Sequence, residues 1–300
     1  YFTWSINDSS VALGVGDDAA LFSLEQGYQI VTTTDTLIKG VHFNASTPAK
    51  DIAHKSLVVN LSDIAAMGAK AKYFTLALSI PKIDKSWLQD FSDSLKHLSE
   101  QYEVSLVGGD TTRGPLNITI TMIGMVERSK ALTRSGARPG DGIYVSGTIG
   151  DAGFCFWKLS NGLVSSNQEL KRLNCPMPRI ELGLALQNLA SACIDISDGL
   201  EQDLSHILKA SSVGAVIEVK KIPVSEALHV HVKDTNDWSI PLCGGDDYEL
   251  CFTIPKGNEE ALKMVSESCN VNITRIGVVS ESLGLQIEGF DGPRKSYQHF

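Results

Sequence analysis

The sequence predicts a two-domain α/β protein, and three observations carry that prediction. Segments of β-branched or alternating apolar residues alternate with segments that bear helix start and stop signals. A dense Gly/Pro/Arg stretch separates two such series. The chain has 300 residues, 43% of them hydrophobic, enough to bury two cores of ordinary size.

In the first series, strands are predicted at 29–34, 73–80 and 117–126. Thr47-Pro48 opens a helix that runs to about Met67, since proline is tolerated in a first turn, and Gly68 stops it. A second helix runs from near Asp84 to near Tyr102. The string Arg134-Ser135-Gly136-Ala137-Arg138-Pro139-Gly140-Asp141-Gly142 then sets the boundary near 138, giving domains 1–137 and 138–300. The second series predicts a strand at 143–146, helices near 151–158 and 180–190, a strand entering Asp195 and a helix after Asp198. A strand at 248–254, a helix near 259–269 and strands around 274–279 and 285–287 close it.

Charge and cysteine use narrow the function. Against 35 Asp+Glu stand 26 Lys+Arg, a formal net charge of −9, with no basic run long enough to track a phosphodiester backbone; nucleic acid is not an expected partner. The six cysteines include no C-x-x-C pair, so neither a zinc site nor a disulfide framework is expected, and a reducing cytosol fits them best. The most apolar stretch, 57–80, is interrupted by Asp63, Lys70 and Lys72, which argues against a membrane span. The chain begins with Tyr1 rather than Met and without a signal-peptide pattern, so a preceding amino-terminal segment is expected.

Six Gly/Asp clusters dominate what remains, each placed by the pattern at a turn or strand end. They are Gly16-Asp17-Asp18, Thr33-Thr34-Asp35, Ser62-Asp63, Gly108-Gly109-Asp110, Asp195-Ile196-Ser197-Asp198 and Gly244-Gly245-Asp246-Asp247. Carboxylates within about 4 Å repel by about 4 kcal/mol per pair at an effective dielectric near 20, so several converge only around cations. Hard oxygen donors suit magnesium, which bridges to polyphosphates, and a phosphoryl-transfer site follows as the first reading. Each cluster also has a plainer reading. Thr33-Thr34-Asp35 can be a strand-end turn, Asp63 can occupy one solvated stripe of its helix, Asp198 can be a helix N-cap, and His42 a solvated loop imidazole. Gly14-Val15-Gly16-Asp17-Asp18-Ala19 matches the G-x-G-x-x-A fingerprint, but its paired Asp would repel a pyrophosphate. Neither a Walker A string nor a protein-kinase signature is present.

The order of these strings is more specific than their composition. Gly-Val-Gly-Asp-Asp-Ala-Ala at 14–20, Thr-Thr-Asp-Thr-Leu at 33–37, Gly-Val-His-Phe at 40–43, Val-Asn-Leu-Ser-Asp-Ile-Ala-Ala-Met-Gly-Ala at 59–69 and Gly-Gly-Asp-Thr-Thr-Arg-Gly at 108–114 resemble the thiamine-monophosphate kinase family. So do Leu-Thr-Arg-Ser-Gly-Ala at 132–137, Ile-Asp-Ile-Ser-Asp-Gly-Leu at 194–200 and Asp-Tyr-Glu-Leu-Cys-Phe-Thr at 247–253. The resemblance implies the two-domain fold of aminoimidazole-ribonucleotide synthetase-like ATP enzymes. Its amino-terminal domain would bind ATP and magnesium and form the sheet or barrel of a homodimer, and its carboxyl-terminal α/β domain would complete the active site.

By motif position the resemblance implies several magnesium ions on Asp18, Thr33, Thr34, Asp35, Asp63, Asp110, Asp195 and Asp198. ATP would be contacted by Gly109, Asp110, Arg134 and Ser197, thiamine monophosphate by His42, Asp246 and Tyr297, and catalysis would fall to Asp110, Asp195, Asp198 and Arg134. Where the family usually carries Gly-Gly-Glu-Asp-Tyr, this chain has Gly244-Gly245-Asp246-Asp247-Tyr248, so a shorter acid takes the substrate contact. Alternatives are another ATP enzyme of the superfamily or a non-catalytic magnesium- or nucleotide-binding protein. Selenophosphate synthetases would call for an amino-terminal cysteine, whereas the first here is Cys155; hydrogenase-maturation relatives would call for one in the carboxyl tail, which has none.

Overall fold

A computed structural model describes residues 1–4, 8–15, 19–23 and 25–294. Two compact units form, one from residues 1–64 with 69–129 and the other from 65–68 with 130–300.

The first unit starts with a short antiparallel pair, β1 (Val11–Leu13) and β2 (Leu21–Phe22). Then follow β3 (Tyr28–Ile38), α1 (Ala49–Ala66), β4 (Lys70–Ile80), α2 (Lys85–Gln101), β5 (Ser105–Arg113) and β6 (Asn117–Glu127). The four long strands form one sheet in the order β3-β6-β4-β5, with β4 and β5 parallel and the other neighbours antiparallel. Alternation along β6 sets its two faces: Ile118, Ile120 and Met122 are buried, in register with buried Leu78, Leu76 and Phe74 of β4. α1 covers this face, and a Cβ placed on Gly124 of β6 would lie 3.2 Å from Ile64. α2 is amphipathic and begins where the Asp84 carboxylate accepts the Ser86 and Trp87 N–H groups, each at 3.1 Å.

The opposite face divides in two. At one end Val11, Ala20 and Phe22 pack against Tyr73, Ile123 and Met125. At the other end threonines line up, with hydroxyl pairs Thr34–Thr121 at 2.9 Å and Thr36–Thr119 at 2.8 Å.

The second unit contains β7 (Gly142–Ser146), α3 (Asp151–Ser160), α4 (Asn167–Asn174), α5 (Ile180–Ala185), β8 (Ala192–Asp195), α6 (Leu200–Ser211) and β9 (Gly214–Glu218). It continues through α7 (Glu226–Thr235), α8 (Ser239–Cys243), β10 (Leu250–Ile254), α9 (Glu259–Cys269), β11 (Ile273–Ser280) and β12 (Gly284–Glu288). Its sheet runs β12-β9-β11-β7-β10-β8, antiparallel except for β12 against β9. β7 and β10 are buried along their whole length because both faces are covered. Ile143, Val145, Ile194 and Cys251 enter one core, and Tyr144, Cys193, Leu250 and Phe252 the other.

One strand runs further than the sequence pattern predicts, and another forms where none was predicted. β3 continues through Thr33-Thr34-Asp35 to Ile38 because it pairs with β6 residue by residue to Asn117. β5 continues through Gly108-Gly109-Asp110 to Arg113 against β4. Neither cluster is a turn. Gly109 is required by the close approach of β4, since a Cβ there would lie 2.0 Å from the Leu76 carbonyl oxygen. Among the described residues, no helix is long and apolar enough to cross a membrane.

Candidate active site

In the first unit the helix-covered face of the sheet gathers Thr33, Asp35 and Asp63. Asp35 is in register with buried Ile120, and Thr33 with buried Met122, so both side chains belong to the face under α1. Asp63 enters from α1, and its carboxylate accepts the Thr33 hydroxyl at 2.5 Å. Asp63 is half-buried, and Val58, Val59, Leu61, Ile64 and Ala65 beside it are all buried. Burial first, and then the like charge and hydrogen bond of Asp63, push Asp35 up to about 7. Two carboxyl groups thus oppose each other beside a hydroxyl.

Thr34 and Asp110 lie on the other face. Asp110 is exposed and in register with exposed Ala77, which pairs with Thr119. Thr34 and Asp110 stand three strands apart, roughly 14 Å at ordinary strand spacing, so this sheet does not bring them to one ion. His42 sits in the tight turn after β3. Its Nδ1 accepts the Ile38 N–H at 3.0 Å, and its carbonyl oxygen accepts from the buried Lys55 ammonium at 3.2 Å. A neutral imidazole accepting at Nδ1 carries its proton on Nε2.

In the second unit, residues 195–199 and 244–249 form one double-layered turn. Asp195 ends β8 opposite Leu250 and is 4% exposed. Backbone bonds run from Ile196 N–H to Glu249 O (2.7 Å), from Asp246 N–H to Ser197 O (2.8 Å) and from Tyr248 N–H to Ile196 O (2.8 Å). Asp246 and Tyr248 both adopt positive φ, 68° and 53°, and the Tyr248 hydroxyl donates to the Asp246 carboxylate at 3.0 Å. Asp198 is not the N-cap of α6. Gly199 holds that position at φ 117° without a side-chain cap, while Asp198 accepts from the Gln202 amide at 3.0 Å. Arg134 is exposed, and its carbonyl oxygen accepts the Ser211 hydroxyl at 3.2 Å.

Behind this turn lies a set of charges whose partners sequence reasoning did not single out. Glu249 is fully buried, accepts two guanidinium N–H groups of Arg179 at 2.5 and 2.6 Å, and accepts the Ser146 hydroxyl at 2.5 Å. Asp247 accepts the Gly150 N–H at 2.6 Å at the start of α3. Burial pushes Asp247 up to about 8 against the opposing charge of Arg172. Asp203 accepts three backbone N–H groups, and burial lifts it to about 7 in spite of them. Asp247 belongs to one of the Gly/Asp clusters and Glu249 to the 247–253 string, but alternation says nothing of which polar residue reaches a backbone amide or a guanidinium, so no sequence signal identified these partners.

Among the described residues, no group of three or more His, Cys, Asp or Glu converges as a metal site. Thr33, Asp35 and Asp63 nevertheless offer hydroxyl and carboxylate oxygens alone, the donor set of a magnesium ion that keeps water or substrate oxygens in its shell. The opposed carboxyls are what such an ion would relieve, so these residues fit it. Asp18 and Tyr297, named from the resemblance, lie outside the described residues.

The two α/β units are those of the AIR synthase related class. Residues 16–126 match the model "AIR synthase related protein, N-terminal domain" and residues 138–289 the corresponding C-terminal domain. Over 304 aligned residues the chain is 45% identical to the thiamine-monophosphate kinase of Escherichia coli (strain K12), covering 97% of this chain and 92% of that one. It is similar to the crystal structure of thiamine-monophosphate kinase from Stenotrophomonas maltophilia K279a, with TM-score 0.89 and 42% identity over 94% of this chain and 92% of that one. It is similar also to AaThiL complexed with AMPPCP and TMP, with TM-score 0.82 and 31% identity over 95% and 92% of the two chains. The chain belongs to the thiamine-monophosphate kinase family and is an enzyme of that kinase class.

Proposed function

We propose that the chain transfers the γ-phosphoryl group of ATP directly to the phosphate of thiamine monophosphate, giving thiamine diphosphate in the last step of that cofactor's biosynthesis. The observation that carries the reading is the opposed Asp35 and Asp63 carboxyls with the Thr33 hydroxyl, held in a chain 45% identical to a thiamine-monophosphate kinase. AaThiL, a similar structure, was solved with AMPPCP and TMP, which supports the same pair of substrates here.

The acceptor is a phosphate oxygen that is already anionic at neutral pH, so no general base is needed to create the nucleophile. What the reaction requires is neutralisation and alignment of two polyanions. Magnesium, when bound, supplies that neutralisation; the residues proposed to hold it are Asp18, Thr33, Thr34, Asp35, Asp63, Asp110, Asp195 and Asp198. Gly109, Asp110, Ser197 and the exposed Arg134 guanidinium are assigned to ATP. Asp110, Asp195, Asp198 and Arg134 are assigned to the transfer itself. His42 offers its Nε2–H to the thiamine substrate, with Asp246 and Tyr297 as further contacts. In this assignment residues 1–137 form the domain that binds ATP and magnesium, and residues 138–300 complete the active site.

A homodimer through the first unit is part of the proposal. Exposed Tyr28 and Ile30 share a sheet face with the threonine rows, an arrangement that supports burial against a second copy. A cytosolic setting is supported by the six cysteines, none of which forms a disulfide.

Incubation with ATP, magnesium and thiamine monophosphate is expected to yield thiamine diphosphate. ATP binding without product would favour a non-catalytic nucleotide-binding protein. Rapid quenching with γ-labelled ATP is expected to show no labelled protein, and a labelled intermediate competent to form product would exclude direct transfer.

A further inference from the structure

The turn at 195–199 contains a feature with no part in the roles assigned above. Asp203 is 3% exposed, and a single oxygen, Oδ2, accepts the N–H groups of Ser197 (3.0 Å), Asp198 (3.0 Å) and Gly199 (3.1 Å). Asp203 occupies the fourth position of α6, where side chains lean back toward the helix N-terminus, so its carboxyl group reaches past the helix start to the turn before it. Successive backbone N–H groups converging on one point make an anion-binding nest, the feature that cradles phosphate in a P-loop. Here the chain's own carboxylate fills the nest. Two consequences follow. The turn is fixed by three charge-assisted bonds, which set how Asp195 and Asp198 are presented. A nucleotide phosphate cannot occupy these amides while Asp203 does.

We propose that Asp203 is the positioning residue of this turn: by occupying the amides of residues 197–199 it holds Asp195, Ser197 and Asp198 in the arrangement that accepts magnesium and nucleotide. The proposal rests on the assignment of Asp195 and Asp198 to magnesium. Its first test is amide exchange by NMR. Asp203→Leu keeps the approximate size but removes the acceptor, and should speed exchange at 197–199 by about 100-fold or more while leaving β7 and β10 protected. Asp203→Asn retains an acceptor oxygen and should keep protection close to that of the parent.

The second readout is the magnesium concentration for half-maximal thermal shift in the presence of AMPPCP. It should rise about ten-fold in Asp203→Leu and little in Asp203→Asn, the size expected for a partner behind a metal ligand. Should Asp203→Leu fail to fold, Asp203→Glu keeps the charge but displaces the oxygen by one methylene and should raise the magnesium requirement in the same direction. A parent-like magnesium requirement in a folded Asp203→Leu, or in Asp203→Glu, overturns the proposal. Asp198→Asn tests the underlying assignment separately: an unchanged magnesium requirement there removes Asp198 from the metal site, while amide exchange still reports whether Asp203 holds the turn.

Discussion

Carboxylates are treated in opposite ways by the two halves of this chain. Under α1, Asp35 and Asp63 face each other, and burial, with the like charge of Asp63 added, pushes Asp35 up to about 7. In the second unit, Asp203 and Asp247 are engaged by backbone N–H groups, and Glu249 by Arg179. A carboxylate facing another is poised for a cation, whereas a carboxyl group engaged by backbone amides or a guanidinium serves the fold. Burial differs too, with Asp35 and Asp63 half-buried and Asp203, Asp247 and Glu249 buried, and the partner of each carboxyl assigns its role.

The largest effects should come from carboxylates assigned to the cation. Asp63→Asn removes one of the opposed pair and keeps a hydrogen-bonding side chain, so turnover should fall by about 1,000-fold or more while thermal stability holds or rises as repulsion is relieved. Asp110→Asn should also abolish turnover without unfolding the chain, although Asp110 is exposed on the other face of the sheet. Steady-state assays beside thermal melts measure both. Near-normal turnover in Asp110→Asn would remove it from the site and leave the helix-covered face as the metal-binding face of the first unit.

Next in size are the engaged carboxylates, for which the loss should appear in stability. Arg179→Ala would leave buried Glu249 with the Ser146 hydroxyl and the Arg172 guanidinium 3.6 Å away, so the cost should be about 3 kcal/mol, the lower end for breaking a buried pair. For a unit of this size that is a fall in melting temperature on the order of 10 °C. Replacing the Arg179–Glu249 pair together by Met and Leu should recover much of the loss, because the desolvation of both ions goes with them. If the double variant melts no higher than Arg179→Ala, the pair contributes more than mutual neutralisation.

The sequence pattern revealed much of this architecture and little of its polar wiring. α1 was legible from its Thr47-Pro48 start and Gly68 stop, and α2, β6 and α9 because their apolar periodicity runs over two turns or a full strand. β3 was cut short and β5 missed because polar Thr33-Thr34-Asp35 and Gly108-Gly109-Asp110 break the apolar pattern, although cross-strand pairing continues through them. α4, β9 and α7 were passed over: α4 is eight residues long and is defined by the Ser166/Glu169 capping box rather than by an apolar stripe. At the site, Asp63 and Asp195 stood out because a carboxylate in an apolar segment calls for a reason. Asp203 did not stand out, since an acid in the first turn of a helix has an ordinary explanation through the helix dipole. Only the three amide bonds reveal its other role.

The smallest effect concerns pH. Asp247 has an ordinary value of 3.8 and is raised to about 8 by burial, the Arg172 charge and the Gly150 N–H opposing the rise. Its protonated form is therefore the one the fold favours. The stability contributed by that proton is fully present below pH 4 and is lost progressively as pH rises toward 8, where the buried side chain ionises. Asp247→Asn keeps an acceptor for Gly150 N–H and has no proton to lose. Melting temperatures of parent and variant, measured from pH 5 to 9, should diverge in favour of the variant up to about pH 8 and run parallel above it. A constant difference across that range would mean that Asp247 stays ionised against Arg172, and would move it among the charge-paired acids with Glu249.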